Sequence, residues 1–164
     1  NLLNMEIKFK KLSEKAVLPK RAYAGDAGMD LTATKITTTI NECGQLMLTY
    51  HTDLAVEIPE GFVGLLFPRS SIYKKSMAQT NSVGVIDSGY RGEVMVVFKT
   101  TTDVIPSIYK EGDRFCQLVI VPIPQFDIVE VDELSTSERG ENGYGSSNNS
   151  NTEINHNDNE ATDE

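Results

Sequence analysis

Polar and apolar residues alternate over Met5–Leu12. Met5, Ile7 and Phe9 fall on one face and Glu6, Lys8 and Lys10 on the other, which predicts a half-exposed strand. Ile36–Ile40 is β-branched and strand-like, Asn41-Glu42-Cys43-Gly44 is a turn, and Gln45–Thr49 resumes as a strand. Leu54–Ile58 reads as a separate short strand closed by the turn Pro59-Glu60-Gly61. Phe62–Phe67 is apolar throughout, the pattern of a strand buried on both faces. Val104–Ile108, Phe115–Pro122 and Phe126–Val131 complete the strands. Gly25 and Gly28 break the stretch Ala24–Leu31, which places Asp30 in a loop. Ser71–Thr80 is the one plausible helix. Short strands with turn signals about every 8–12 residues and no internal repeat predict an all-β sandwich or barrel.

The pattern tightens at Asn81–Glu93, NSVGVIDSGYRGE. An apolar strand end, Val83-Gly84-Val85-Ile86, leads to Asp87 and a Ser88-Gly89 turn, then Tyr90 and Arg91-Gly92, then a second apolar run Val94–Phe98. A polar pair containing Gly between two β-prone runs predicts a hairpin. Asp87 and Tyr90 then sit together at the mouth of a rigid ribbon. Asp87 reads either as a turn-capping acid or as a group held for chemistry.

Composition narrows the class. Apolar residues are 39% and charged residues 24% of 164, values that suit one globular domain. No apolar run reaches about 18 residues, so no membrane-spanning helix is expected. No secretory leader is read, Met5 looks like a natural start, and an intracellular protein is expected. Cys43 and Cys116 are far apart, in no metal-binding spacing, and read as buried or semi-buried free thiols. The net charge of −9 argues against nucleic-acid binding. Setting aside the five carboxylates Glu153, Asp158, Glu160, Asp163 and Glu164 leaves −4 for the body. A polyanionic small molecule remains compatible with that charge if arginines, backbone amides and a metal gather around it.

Four further polar groups are candidates for such a site. Arg69-Ser70-Ser71 follows a buried strand and suits a phosphate cradle, although the serines also fit a helix cap. Asp30 suits a water-rich Mg²⁺ site or a solvated turn. Gln117 lies within an apolar strand and must be hydrogen-bonded, either structurally or into a site. Arg139–Ser147, RGENGYGSS, reads as a mobile flap carrying a cation and a stacking ring, or as the start of the tail. Behind it, residues 148–164 are Asn-rich and acidic with almost no apolar side chains, and disorder is expected there.

Five stretches, in order, resemble the five motifs of the homotrimeric dUTPase family: AGMDL (Ala27–Leu31), PRSS (Pro68–Ser71), GVIDSGYRGE (Gly84–Glu93), GDRFCQL (Gly112–Leu118) and RGENGYGSS (Arg139–Ser147). The resemblance implies a jelly-roll-like β-sandwich over 1–137, a flap over 138–147 and a tail over 148–164. It implies three chains sharing their active sites, and Mg²⁺-assisted hydrolysis of dUTP to dUMP and pyrophosphate by water attack at the α-phosphorus. By that resemblance Asp87 activates the water, with Gln117 and Ser70 beside the reacting phosphate. Arg69, Ser70 and Ser71 bind phosphates, and Asp30 holds the metal through water. Tyr90 packs under the deoxyribose, Asn81 with main-chain groups of Val85, Ile86 and Asp87 receives uracil, and Met95 lines the pocket. Arg139 reaches the γ-phosphate, and Tyr144, Gly145 and Ser146 close over the base.

The sequence departs from the family pattern in places. Tyr144 stands where Phe is usual, Glu141 and Asn142 replace smaller residues, and Asn148 replaces a glycine. The Arg69–Asn81 spacing is one residue short, so Asn81 is placed by counting back from Asp87. Two other classes compete: a dCTP deaminase on the same fold, and a regulatory protein whose affinity for a protein partner depends on nucleotide.

Overall fold

Leu46–Glu57 is the longest strand among the described residues (β4), and it lies at the centre of one sheet. The computed structural model describes residues 5–102 and 104–141. The other strands are β1 (Lys8–Lys11), β2 (Gly28–Thr32), β3 (Lys35–Ile40), β5 (Phe62–Pro68), β6 (Met77–Gln79), β7 (Gly84–Ile86), β8 (Glu93–Thr100) and β9 (Arg114–Pro122). One sheet runs β1-β4-β8-β6 with β3 also on β4, and the other runs β2-β9-β5-β7. All pairings are antiparallel, so the architecture is the expected all-β sandwich.

Alternating apolar positions of both sheets meet in one core. Tyr50 of β4, Phe98 of β8 and Phe115 of β9 are fully buried at its centre. The Tyr50 and Phe115 rings stack at 4.9 Å across the two sheets, and Tyr50 meets Phe98 edge-on at 5.4 Å. The Tyr50 hydroxyl donates to the Tyr109 carbonyl at 2.8 Å. Burial raises its pKa well above the usual phenol value.

Several local expectations are corrected. Gln45–Thr49 and Leu54–Ile58 are not separate strands but the two ends of β4, joined through a register shift between His51 and Ala55. Asp53 sits there at φ 51°, held by Glu93 Oε1, which accepts its N–H at 2.9 Å, and by Ser13, whose hydroxyl donates to its carboxylate at 2.5 Å. Polar Thr52 and Asp53 look like a strand end in sequence but occupy a bulge. Ser71–Thr80 forms no α-helix: Ser70–Lys74 is a 3-10 turn and Met77–Gln79 is β6. Val104–Ile108 and Phe126–Val131 form no strands in this chain. Asp30 lies in β2 opposite Gln117, not in a loop. Cys43 is exposed rather than buried. Cys116 is buried as expected and its thiol is pushed up to about 12, chiefly by that burial.

The hairpin is also revised. A tight turn does form, with Tyr90 N–H donating to the Asp87 carbonyl at 3.0 Å. Its flanking strands do not pair: β7 pairs with β5, and β8 pairs with β4 and β6. Asp87–Gly92 therefore crosses from one sheet to the other.

The chain divides into two compact units, Asn1–Phe126 and Asp127–Glu164. In the second, Ile128, Val129, Val131 and Leu134 expose their apolar side chains, and Gly140 takes φ +53° in a turn closed onto Ser137. No helix of the described residues is long and apolar enough to cross a membrane.

Replacing Phe115 by Ala is expected to cost about 3–5 kcal/mol of stability, because a ring touching both sheets leaves a cavity. Tyr50→Phe, which strands one buried carbonyl, is expected to cost about 1–3 kcal/mol. Urea unfolding of the two variants checks both the sizes and their order.

Candidate active site

Where β7 ends, the chain leaves the sheet edge and opens a cavity of about 290 Å³. Six of the residues singled out in the sequence line it: Asn81, Val85, Ile86, Asp87, Tyr90 and Met95. Leu66, Gln79, Gly84, Glu93 and Val94 complete much of its wall. Val85, Tyr90 and Met95 expose apolar surface into this concavity, the usual character of a site that takes an organic ligand. Asp87 is exposed at its rim.

Local chemistry fixes Tyr90. Its hydroxyl donates to the Glu93 carbonyl at 3.0 Å, and the ring lies across Gly92. A Cβ built on Gly92 falls 2.6 Å from Tyr90 Cζ, so a side chain there would displace the ring. Glu93 in turn accepts from the Asp53 N–H at 2.9 Å and lies 3.2 Å from His51 Nδ1. His51 Nε2 is 3.1 Å from Thr37 Oγ1. The crossing loop is thereby tied to the β4 bulge.

A second polar cluster lies at the other end of the same sheet. The carboxylate of Asp30 accepts from Arg69 Nε at 2.8 Å and from Arg114 Nη1 at 3.0 Å. Only 16% of the Asp30 side chain is exposed, so both ion pairs are partly desolvated. Gln117 Nε2 donates to the Pro68 carbonyl at 3.1 Å and braces the strand end that carries Arg69. Ser71 Oγ is 2.8 Å from the Tyr109 hydroxyl, and Ser70 is exposed. The serines cap nothing: position N-cap of the 3-10 turn is Arg69, with no side-chain cap. Two guanidiniums against one carboxylate leave this surface positive, which suits an oxyanion.

The two clusters do not meet within one chain. Ile86 pairs with Gly64, so Asp87 stands level with Val63, six residues of β5 before Arg69. Six residues of strand span roughly 20 Å. Arg139 belongs to the second unit, and Tyr144, Gly145 and Ser146 lie outside the described residues.

No group of three or more His, Cys, Asp or Glu side chains able to hold a metal occurs among the described residues. A cation bound directly by several protein carboxylates does not fit this donor set. A Mg²⁺ that keeps its waters fits Asp30 only through the acceptor position left on Oδ1, and only with an anion present to offset the two guanidiniums.

Sequence reasoning missed Arg114, Glu93 and Gln79. Gln79 gave no such signal as Gln117 did, because Gln117 lies between Cys116 and Leu118 whereas Gln79 opens the polar run Gln79-Thr80-Asn81-Ser82. Arg114 and Glu93 lie inside the stretches GDRFCQL and GVIDSGYRGE but were assigned no role, since charged residues at strand ends are ordinarily solvated.

The family model described as dUTPase matches residues 14–148. The deoxyuridine 5'-triphosphate nucleotidohydrolase of Tropheryma whipplei (strain Twist) is 40% identical over 131 residues, 79% of this chain and 87% of that protein. The dUTPase of Staphylococcus bacteriophage 80alpha with dUPNHPP is similar in structure, with TM-score 0.73, 32% identity and coverage of 87% and 98%. Phage dUTPases such as that one control transfer of virulence genes by a proto-oncogenic G protein-like mechanism. A dUTPase variant of phage phi11 of S. aureus, described with a structural Mg(II) ion, gives TM-score 0.66 at 30% identity, covering 79% and 98%. A match over most of the chain, at this identity and with this fold, places the chain in the dUTPase family.

Proposed function

We propose that this protein hydrolyses dUTP to dUMP and pyrophosphate, which keeps uracil out of DNA and supplies dUMP for thymidylate synthesis. The observation that carries this reading is the cavity where Asp87, Tyr90 and Asn81 converge in a chain of the dUTPase family. The uracil ring enters beside Asn81 and the backbone of Val85–Asp87, with Met95 on its wall. Tyr90, braced on Gly92 and Glu93, lies flat under the deoxyribose and leaves no room for a 2′-hydroxyl. Asp87 takes a proton from water as its oxygen bonds to the α-phosphorus, and the bridging oxygen departs with pyrophosphate. A positioned carboxylate base is typically worth about 10²–10⁴ in rate. Arg69, Ser70 and Ser71 bind the phosphate chain, with Gln117 near the α-phosphate. Mg²⁺, held through water by Asp30, neutralises phosphate charge when bound. The flap 138–147 closes the site, with Arg139 on the γ-phosphate and Tyr144, Gly145 and Ser146 over the base.

The separation of roughly 20 Å between Asp87 and Arg69 supports a site that draws these residues from different chains, and the resemblance to the dUTPase family implies that the chains number three. The exposed apolar side chains of Ile128, Val129, Val131 and Leu134 support packing on another copy. A nucleotide-dependent protein partner is a second, compatible reading. It is supported by likeness to the 80alpha enzyme.

Pyrophosphate release is expected from dUTP in preference to dTTP, dCTP and UTP; equal rates on all four would refute the assignment. Asp87→Asn is expected to lose about 10²–10⁴ of turnover while still binding nucleotide, as a kinetic assay paired with calorimetry would read. Two inactive variants, Asp87→Asn and Arg69→Ala, are expected to complement when co-folded. Random closed trimers made from equal amounts would recover about a quarter of the sites. Failure of the mixture to exceed either parent would place both residues in one chain's site.

A further inference from the structure

Gln79 ends β6 beside the cavity, and 93% of its surface is buried, with 7% exposed. Its Nε2 faces two acceptors, the Leu66 carbonyl at 3.1 Å and Asn81 Oδ1 at 3.1 Å. Its Oε1 is buried with no hydrogen-bond partner among the described residues. Leaving a buried oxygen unpaired is unfavourable. What the residue supplies is therefore its NH₂ group.

The orientations follow one another without choice. A backbone carbonyl only accepts, so the Gln79 atom facing Leu66 must be the nitrogen. That nitrogen has a second proton, directed at Asn81, so the Asn81 atom facing it must be the oxygen. The Asn81 nitrogen is then turned away from Gln79, on a residue that is itself exposed and lines the cavity with Asp87 and Tyr90. The Asn81 backbone is held as well: Ser82 takes φ 58°, and the Val83 N–H donates back to the Asn81 carbonyl.

We propose that Gln79 is a specificity-positioning residue: anchored on the Leu66 carbonyl, it locks the Asn81 amide with its N–H donors toward the ligand. A donor at that point matches a keto oxygen on a pyrimidine and opposes an amino group. The pair thus selects uracil-type over cytosine-type bases. This rests on the assignment of the cavity to a pyrimidine deoxynucleotide.

Two substitutions separate the polarity of the amide from its bulk. Gln79→Met keeps the volume and removes the lock, leaving Asn81 free to turn over. Gln79→Glu goes further. Whichever form it takes, it offers at most one proton, and the Leu66 carbonyl claims that proton. Its remaining lone pairs accept from Asn81, which reverses and shows its carbonyl to the ligand. The readout is the ratio of kcat/KM for dUTP to that for dCTP, with thermal melts to identify folded variants. The ratio is expected to fall about tenfold in Gln79→Met and further in Gln79→Glu, chiefly through KM for dUTP. Asn81→Asp, at an exposed position, keeps the bond from Gln79 but presents an acceptor, and is expected to lower the ratio even if the core variants fail to fold. An unchanged ratio in the folded variants, with both substrates slowed equally, would show that Gln79 serves packing alone and overturn the proposal. Absence of pyrophosphate release from dUTP by the unaltered protein would instead refute the functional assignment beneath it.

Discussion

Strand β5 is the constraint on which the chemistry depends. It pairs with β9 along its whole length on one side and with β7 on the other. Both partners fix its register, because a slip of one residue would turn Leu66 out of the core and expose it. A strand so held cannot bend its two ends together. Asp87 is therefore set at one end of the sheet and Arg69 at the other, with the rigid backbone between them. The cavity beside Asp87 and the positive surface made by Arg69 and Arg114 are each formed by local structure. Under the proposed function, chemistry that needs both would recruit a second copy. The same rigidity that prevents one chain from closing a site holds each half in place before the other arrives.

The crossing at Asp87–Gly92 supplies the other half of the design. A true hairpin would be anchored to its own partner strand. This loop is instead suspended between sheets and is held by what its side chains reach. Tyr90 bonds the Glu93 carbonyl, and the Glu93 carboxylate takes the Asp53 N–H. Arg91 folds back on the Ser88 carbonyl at 2.6 Å. The bulge in β4 is then not a defect of a long strand. It turns the Asp53 N–H out of the ladder and toward Glu93, linking the loop of one sheet to the centre of the other.

The apolar alternation was enough to read an all-β sandwich and most of its strands, because half-buried strands carry their period in sequence. It failed where tertiary context overrode local pattern. Thr52 and Asp53 look like a break and are a bulge. Ser71–Thr80 divides between a 3-10 turn and an edge strand. Val104–Ile108 and Phe126–Val131 have strand-like composition without a partner strand among the described residues. The site was legible by type and partly by grouping. Six residues of one contiguous stretch and its neighbours do line one cavity, since nearness in sequence became nearness in space. The pairing of Asp30 with Arg114, 84 positions apart, was not legible. It depends on the register of β2 against β9, which no local signal encodes.

The Asp30 cluster also shows why an arginine-rich surface can be stable before substrate arrives. Arg69 and Arg114 unopposed would repel one another on a partly desolvated strand end. One carboxylate between them offsets that repulsion and fixes both guanidiniums by directed hydrogen bonds. The cluster keeps one net positive charge, so under the proposed function a phosphate would meet an already oriented cation. A lysine in place of Arg69 would keep the charge but lose the fork that grips Asp30 through both Nε and Nη2. The geometry, more than the charge count, is what the PRSS segment contributes. Gln117 preserves that geometry by tethering Pro68 from the neighbouring strand.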